Sequence, residues 1–112
     1  MVEIKEIINY KDFMKLDIRI GKILSAEKVI NSEKLLKIIF DFGDFQRQII
    51  AGIAMKYSAE ELIGKQMPVI VNLEPRLIMG LNSQGMILAV GSMDVDSLLF
   101  PSESVSNGSL VH

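Results

Sequence analysis

The sequence predicts an all-β fold, a small antiparallel barrel of five strands with one short helix, and three observations predict it. Apolar residues recur with period two at Leu16, Ile18 and Ile20, and again at Leu36, Ile38, Phe40 and Phe42. That is the pattern of half-buried strands. Turn-forming residues punctuate the chain at short intervals, among them Gly21, Asn31, Gly43, Gly64, Pro75, Gly80 and Gly85, which suits short strands joined by tight connections. A single strong helix-start signal, Ser58-Ala59-Glu60-Glu61, stands between the third and fourth apolar runs. At 112 residues the chain suffices for one domain, 1–112, with one core.

The elements follow in order. Val2 and Ile4 alternate, as in a short strand, and Tyr10, Phe13 and Met14 fit one helical turn capped by Asn9. Leu16 to Val29 reads as a long strand with Leu16, Ile18 and Ile20 inward and Asp17 and Arg19 outward; Gly21 marks a bend or bulge. Asn31-Ser32 turn the chain into Leu36–Phe42, Gly43-Asp44 connect tightly, and Phe45 to Ile53 return. These three strands make an antiparallel meander. Ser58-x-x-Glu61 is a capping box, in which the serine side chain takes the N–H of Glu61 and the glutamate reaches back. Gly64 ends that helix. Lys65 to Val71 is a fourth strand, the stretch from Asn72 to Gly85 a loop, and Met86 to Val90 a fifth strand. Three strands, a helix and two strands is the order of an OB-fold, a five-stranded Greek-key barrel with a short helix between strands 3 and 4. Residues 93–112 lie outside such a barrel, yet carry Leu98-Leu99-Phe100 and Leu110-Val111, and Asn107-Gly108 signals a turn. Apolar ends beyond a finished barrel predict a second interface. We expect a C-terminal dimerisation extension in which the N-terminal residues and Leu98-Leu99-Phe100 pack across a two-fold axis.

Composition excludes several classes of function. Hydrophobic content is 49%, too high for general disorder. There is no cysteine, so no disulfide framework, thiolate zinc site or cysteine nucleophile is available. Val2-Glu3-Ile4-Lys5-Glu6 is no secretion signal, and no apolar run approaches the roughly 20 residues of a membrane span; a cytoplasmic protein without membrane contact is expected. His112 is the single histidine, and no phosphate-loop motif occurs. Asp41-x-x-Asp44 and Asp94-x-Asp96 lack the ligand count of a calcium loop. The chain is therefore not expected to be an enzyme or to hold a metal or cofactor. Net charge is −2, with ten of the 12 basic residues up to Lys56 and two, Lys65 and Arg76, beyond it. Phosphate contacts then need a local patch drawn from the first half and joined by Arg76.

Two stretches stand out as candidate sites. Asn72 to Gly85 combines a proline and glycines with Leu77-Ile78-Met79 and Leu81, which a solvated loop does not need, beside Arg76, Asn82, Ser83 and Gln84. Such a loop is either packed on its own domain or offered to a partner. The second stretch is Ser32-Glu33-Lys34-Leu35-Leu36-Lys37, where Lys34 and Lys37 enter a strand on opposite faces.

Six motifs now stand in register: Asp12-Phe13-x-Lys15-x-Asp17-x-Arg19, Ser32-x-Lys34-Leu35-Leu36, Ala51-Gly52-Ile53, Leu62-Ile63-Gly64-Lys65, Asn72-Leu73-x-Pro75-Arg76 and Ser83-x-Gly85-Met86. From about residue 12 to the end the chain resembles the tRNA-binding domain found at the C-terminus of many methionyl-tRNA synthetases, as stand-alone tRNA-binding proteins, and in the export-related chaperone CsaA. The resemblance implies an OB-fold whose extra terminal elements build a homodimer. It implies non-catalytic binding of tRNA by shape, at the outer corner of the L, alone or as an auxiliary to methionyl-tRNA synthetase. It places the tRNA-binding residues at Lys34, Arg76, Ser83, Gly85 and Met86: charge from Lys34 and Arg76, oxygen contacts from Ser83 and the backbone at Gly85, and a soft apolar surface from Met86. Glu74 and Leu77 stand where the family often has a neutral or basic residue and a basic residue respectively, and Gln84 where it often has glutamate. The chaperone branch implies an alternative, capture of unfolded or exported polypeptide on Leu77-Ile78-Met79-Gly80-Leu81.

Overall fold

The computed structural model describes residues 3–112. The expected alternation of Val2 with Ile4 falls partly outside that range, and Glu3 to Asn9 form neither helix nor strand. The Asn9 side chain caps α1 (Tyr10–Phe13), accepting the N–H of Asp12 at 2.9 Å. Eight further elements build the barrel and its inserted hairpin: β1 (Ile18–Lys28), β2 (Leu36–Asp41), β3 (Gln46–Ala51), α2 (Ala59–Leu62), β4 (Gln66–Ile70), β5 (Arg76–Ile78), β6 (Leu81–Ser83) and β7 (Met86–Ile87). Three further two-residue strands follow β7: β8 (Ala89–Val90), β9 (Ser97–Leu98) and β10 (Leu110–Val111).

β1 organises the sheet, whose order is β3-β2-β1-β4-β7, every pair antiparallel. Its first half pairs with β4, from Ile18 opposite Ile70 to Lys22 opposite Gln66, and its second half with β2, from Lys22 opposite Asp41 to Lys28 opposite Leu36. A strand serving two partners must bend, and the register shifts between Ile23 and Ser25. The bulge thus falls at the half-exposed Leu24, not at Gly21. Gly21 has another cause: a Cβ there would stand 2.6 Å from the Phe42 ring and 3.0 Å from that of Phe40. Its hydrogen atom is the space in which two core aromatics sit. The strand begins at Ile18, because Leu16 lies outside the ladder and is half exposed.

Alternation holds best in β2, where Leu36, Ile38 and Phe40 are buried and Lys37, Ile39 and Asp41 face outward. The interior is filled by Ile23, Leu36, Ile38, Phe40, Ile49, Ile53, Leu62, Met67 and Val69, each almost inaccessible to solvent. α2 closes one end with Leu62, and its capping box forms as the sequence requires: Ser58 Oγ accepts the Glu61 N–H, and Glu61 Oε1 accepts the Ser58 N–H. The architecture is the all-β OB-fold with extra terminal elements.

Three further expectations need correction. The fifth strand is split: β7 pairs with β4, whereas β8 leaves the barrel to pair with β9. The stretch 72–85 is not simply a loop but carries the hairpin β5–β6. Leu98 is a core residue of its own barrel, 4% exposed, with its N–H donated to the Tyr57 hydroxyl. Leu99 and Phe100 remain half exposed. The end of the chain also packs on its own barrel: Leu110 and Val111 pair with Arg19 and Ile18, and the N–H of Gly108 reaches the Ile20 carbonyl at 2.7 Å.

Gly21→Ala should therefore destabilise the protein by about 1–3 kcal/mol through overpacking. Urea unfolding checks this; a midpoint equal to that of the parent would show that the Phe42 ring has room to move.

Candidate nucleic-acid interface

The hairpin β5–β6 turns on two residues, Met79 (φ +53) and Gly80 (φ +78). Positive φ at both central positions is the type I′ turn, whose twist matches that of paired strands. Arg76 lies opposite Ser83 and Ile78 opposite Leu81, so Leu77 and Asn82 take the other face. The hairpin is fastened to β3 by three side-chain hydrogen bonds and one backbone bond. Ser83 Oγ accepts the N–H of Ile50 at 3.0 Å, the Gln84 N–H donates to the Gln48 carbonyl at 2.8 Å, and Gln84 Oε1 accepts the Gln48 N–H at 2.9 Å. Gln48 Nε2 in turn donates to the Asn82 carbonyl at 2.9 Å. At the hairpin's base, Asn72 ties β4 to the start of β1, accepting the Asp17 N–H and donating to the Lys15 carbonyl.

Beside this seam runs a groove of about 540 Å³, walled by the end of β3, the hairpin and the segment 85–92. Arg76, Ser83, Gly85 and Met86 all line it, so four of the five residues singled out from the sequence come together. Their exposures differ. Arg76 is exposed and enters no ion pair among the described residues. Met86 is half exposed. Ser83 is 4% exposed, its oxygen occupied by the Ile50 N–H; the side chain belongs to the barrel seam and is not presented to a ligand. Gly85 has φ +145, and a Cβ on it would stand 2.5 Å from the Ile70 carbonyl oxygen, so only glycine lets the chain pass this close to β4. Lys34 does not line the groove. It is exposed on the neighbouring loop 29–35, and its carbonyl accepts the N–H of Ala54, next to the groove-lining Ile53.

Sequence reading missed a second feature. The hairpin tip approaches the end of β1 across a cleft of about 250 Å³, lined by Lys28, Val29, Ile30, Lys37, Met79 and Leu81 together with Glu27. Lys37 is ion-paired to Glu27 at 2.7 Å, which spends part of its charge; Lys28 is exposed and enters no ion pair among the described residues. Ile30, Leu77 and Met79 are exposed around it. Lys28 closes a strand and Met79 sits in a turn, and neither position carries a local pattern that separates it from any other surface residue.

The motif Asp17-x-Arg19 proves to be architectural. Arg19 donates to both Asp17 oxygens, at 2.8 and 3.2 Å, and stacks 5.6 Å from the Phe45 ring centre, which Arg47 approaches at 4.5 Å. The hydrogen bond to Asp17, and less strongly the attraction of Asp17 and Asp44, raises the Arg19 pKa above its ordinary value against a smaller opposing effect of burial. The charge is therefore permanent and pH-independent. Among the described residues no group of three or more His, Cys, Asp or Glu side chains is placed to hold a metal ion. No helix among them is long and apolar enough to cross a membrane.

A barrel whose β1–β2 loop and β4–β7 connection rise side by side, bearing exposed cations among apolar side chains, defines an OB-fold domain of the oligonucleotide-binding kind. A family model described as "Putative tRNA binding domain" matches residues 18–110, and the chain belongs to that family. It is 52% identical over 110 residues to the methionine–tRNA ligase of Archaeoglobus fulgidus and 50% identical over 104 residues to that of Thermotoga maritima. Those matches cover 98% and 93% of this chain but only 17% and 16% of the ligases. Among solved structures, a MetRS related protein from Pyrococcus horikoshii superposes with a TM-score of 0.89 at 35% identity, covering 96% of this chain and 100% of that one. The chaperone CsaA from Bacillus anthracis superposes with a TM-score of 0.86 at 33% identity, over the same shares of the two chains.

Ser83→Ala strands the buried N–H of Ile50 and should cost about 1–3 kcal/mol of stability. The check is a thermal melt compared with that of Asn82→Ala, whose exposed side chain has no such partner; equal melts would contradict the assignment of Ser83 to the seam.

Proposed function

We propose that this chain is a non-catalytic tRNA-binding module that acts as a homodimer in the cytoplasm, as an auxiliary to a methionyl-tRNA synthetase in cis or in trans. One observation carries the reading: in a fold of this family, Arg76, Gly85 and Met86 line a single groove, and Lys34 stands on the loop beside it. Arg76 and Lys34 supply charge to phosphates, the backbone at Gly85 meets phosphate or ribose oxygens, and Met86 offers a polarisable apolar surface to a base or sugar. Ser83 acts through the seam, holding the hairpin at its height above β3. So few cations suit recognition of shape by a handful of phosphate contacts rather than strong general affinity for nucleic acid.

The dimer reading is supported by where apolar surface remains. Met14, Leu16 and Leu110 are exposed around one groove between α1 and β10, and the preceding arm exposes Ile4, Ile7 and Ile8. A second copy covering this face would bury them and the unpaired edge of β10. Leu98 is already used inside the barrel, so the proposed two-fold contact uses the N-terminal arm and β10 instead.

A second reading rests on the hairpin itself. Leu77 is 77% and Met79 56% exposed, an apolar tip with adaptable methionine, as a polypeptide-capturing chaperone would need. Gel-shift titration with total tRNA, duplex RNA and an unfolded polypeptide separates the two. Binding to tRNA should weaken with salt, and Lys34→Ala and Arg76→Ala should each reduce the log–log slope by about 0.7–0.9. Met86→Ala should cost about 1–3 kcal/mol of tRNA affinity if its side chain meets a base. Salt-indifferent affinity, with polypeptide bound better than tRNA, would favour the chaperone. Sedimentation at micromolar concentration should show a dimer; a monomer would refute that part.

A further inference from the structure

A second sizeable groove lies away from the one between the hairpin and β3. It measures about 690 Å³ and lies between the start of β4 and the C-terminal segment 100–107. Its cations are Lys22 and Lys65, both exposed and neither in an ion pair among the described residues. Its aromatic is Phe100, half exposed, with the Lys65 ammonium 5.5 Å from the ring centre. Ring and cation can therefore be reached by one ligand.

The groove is built rather than incidental. Lys65 is held from both sides, its carbonyl accepting the Ile23 N–H and its own N–H reaching the Leu62 carbonyl. Gln66 clamps the opposite wall: its Nε2 donates to the Val105 carbonyl and to Asn107 Oδ1, and its Oε1 accepts the Val105 N–H. Two acids bear on the charge. Glu103 lines the groove. Asp41 lies opposite Lys22 on β2, but its oxygens are taken by the Gly43 N–H and by Asn107 Nδ2.

We propose that this groove binds an unpaired nucleotide, its base stacked on Phe100 and its flanking phosphates on Lys22 and Lys65. Two cations beside a partly open ring suit a nucleotide: each base has a face that stacks on an aromatic, and the phosphates on either side neutralise the ammonium groups. A paired base cannot present its face, so the groove selects a single strand over a duplex. The site rests on the tRNA-binding reading above and extends it. Lys22 and Lys28 lie on the same strand six residues apart, roughly 20 Å at the usual rise, so the new groove is a second contact well away from the hairpin.

The test uses the full chain, its Lys22→Ala/Lys65→Ala and Phe100→Leu variants, and anisotropy titrations with a single-stranded RNA hexanucleotide, a blunt RNA duplex and tRNA. Phe100→Leu keeps the apolar bulk and removes the π face. It should weaken hexanucleotide binding roughly fivefold to a hundredfold. The double lysine variant should lower the salt slope for the hexanucleotide by about 1.4. If Phe100→Leu melts early, the double variant, which changes only exposed side chains, decides. Unaltered hexanucleotide binding in the folded variants, or equal affinity of the parent for the blunt duplex, would overturn the proposal. Should Lys34→Ala and Arg76→Ala still weaken tRNA in that case, the function proposed above would survive. If none of these variants changes tRNA binding, both readings fall.

Discussion

Between β3 and the chain at 82–84 the barrel is closed by a seam in which side chains replace a regular strand ladder. Ser83 Oγ accepts from Ile50 N–H, Gln84 Oε1 from Gln48 N–H and the Asn82 carbonyl from Gln48 Nε2, and one backbone bond, Gln84 N–H to the Gln48 carbonyl, makes the fourth across that gap. An open edge on β3 would leave backbone donors unpaired beside a hydrophobic core, at a cost comparable to a lost hydrogen bond for each. The same bonds fix the height and tilt of the hairpin, and with it the wall of the groove carrying Arg76 and Met86. Gly85 belongs to the same constraint, since the chain must pass within contact of the Ile70 carbonyl to bring Gln84 onto Gln48. Closure of the fold and presentation of the binding surface are thus one set of contacts.

This coupling explains which parts of the molecule were legible in the sequence. β2 was plain because one face is fully buried and the other is not, so period two survives in Leu36, Ile38 and Phe40. Both helix starts were plain because a cap is a local bond between near neighbours, Asn9 to Asp12 and Ser58 to Glu61. The hairpin β5–β6 was hidden. A type I′ turn is normally advertised by Asn-Gly or Asp-Gly, and here Met79 occupies a left-handed position it rarely takes. Leu98 was misplaced because its strand is two residues long and supports no periodicity.

The site was legible as a neighbourhood and less so as a set of roles. Arg76, Gly85 and Met86 do meet around one groove. Ser83 meets them too, but a serine that faces a ligand and one that satisfies a buried N–H have the same sequence signature. What separates them is the position of Ile50, 33 residues away, and only the fold supplies that. Lys28 and Met79 show the converse: ordinary residues in the sequence, brought to one cleft because β1 runs long enough to meet the hairpin tip.

Charge and apolar surface pull the functional account in two directions, since a net charge of −2 leaves little to spare for a polyanion while Leu77, Met79 and Ile30 remain open to solvent. What reconciles them is where the cations sit, not how many there are. Backbone amide NMR during titration with tRNA locates the surface that meets the RNA most directly. Resonances of residues 28–37 and 73–92 should shift or broaden together as tRNA is added. If those segments stay unchanged at saturating tRNA while other surfaces respond, the β1–β2 loop and the hairpin groove are not where this protein meets its RNA.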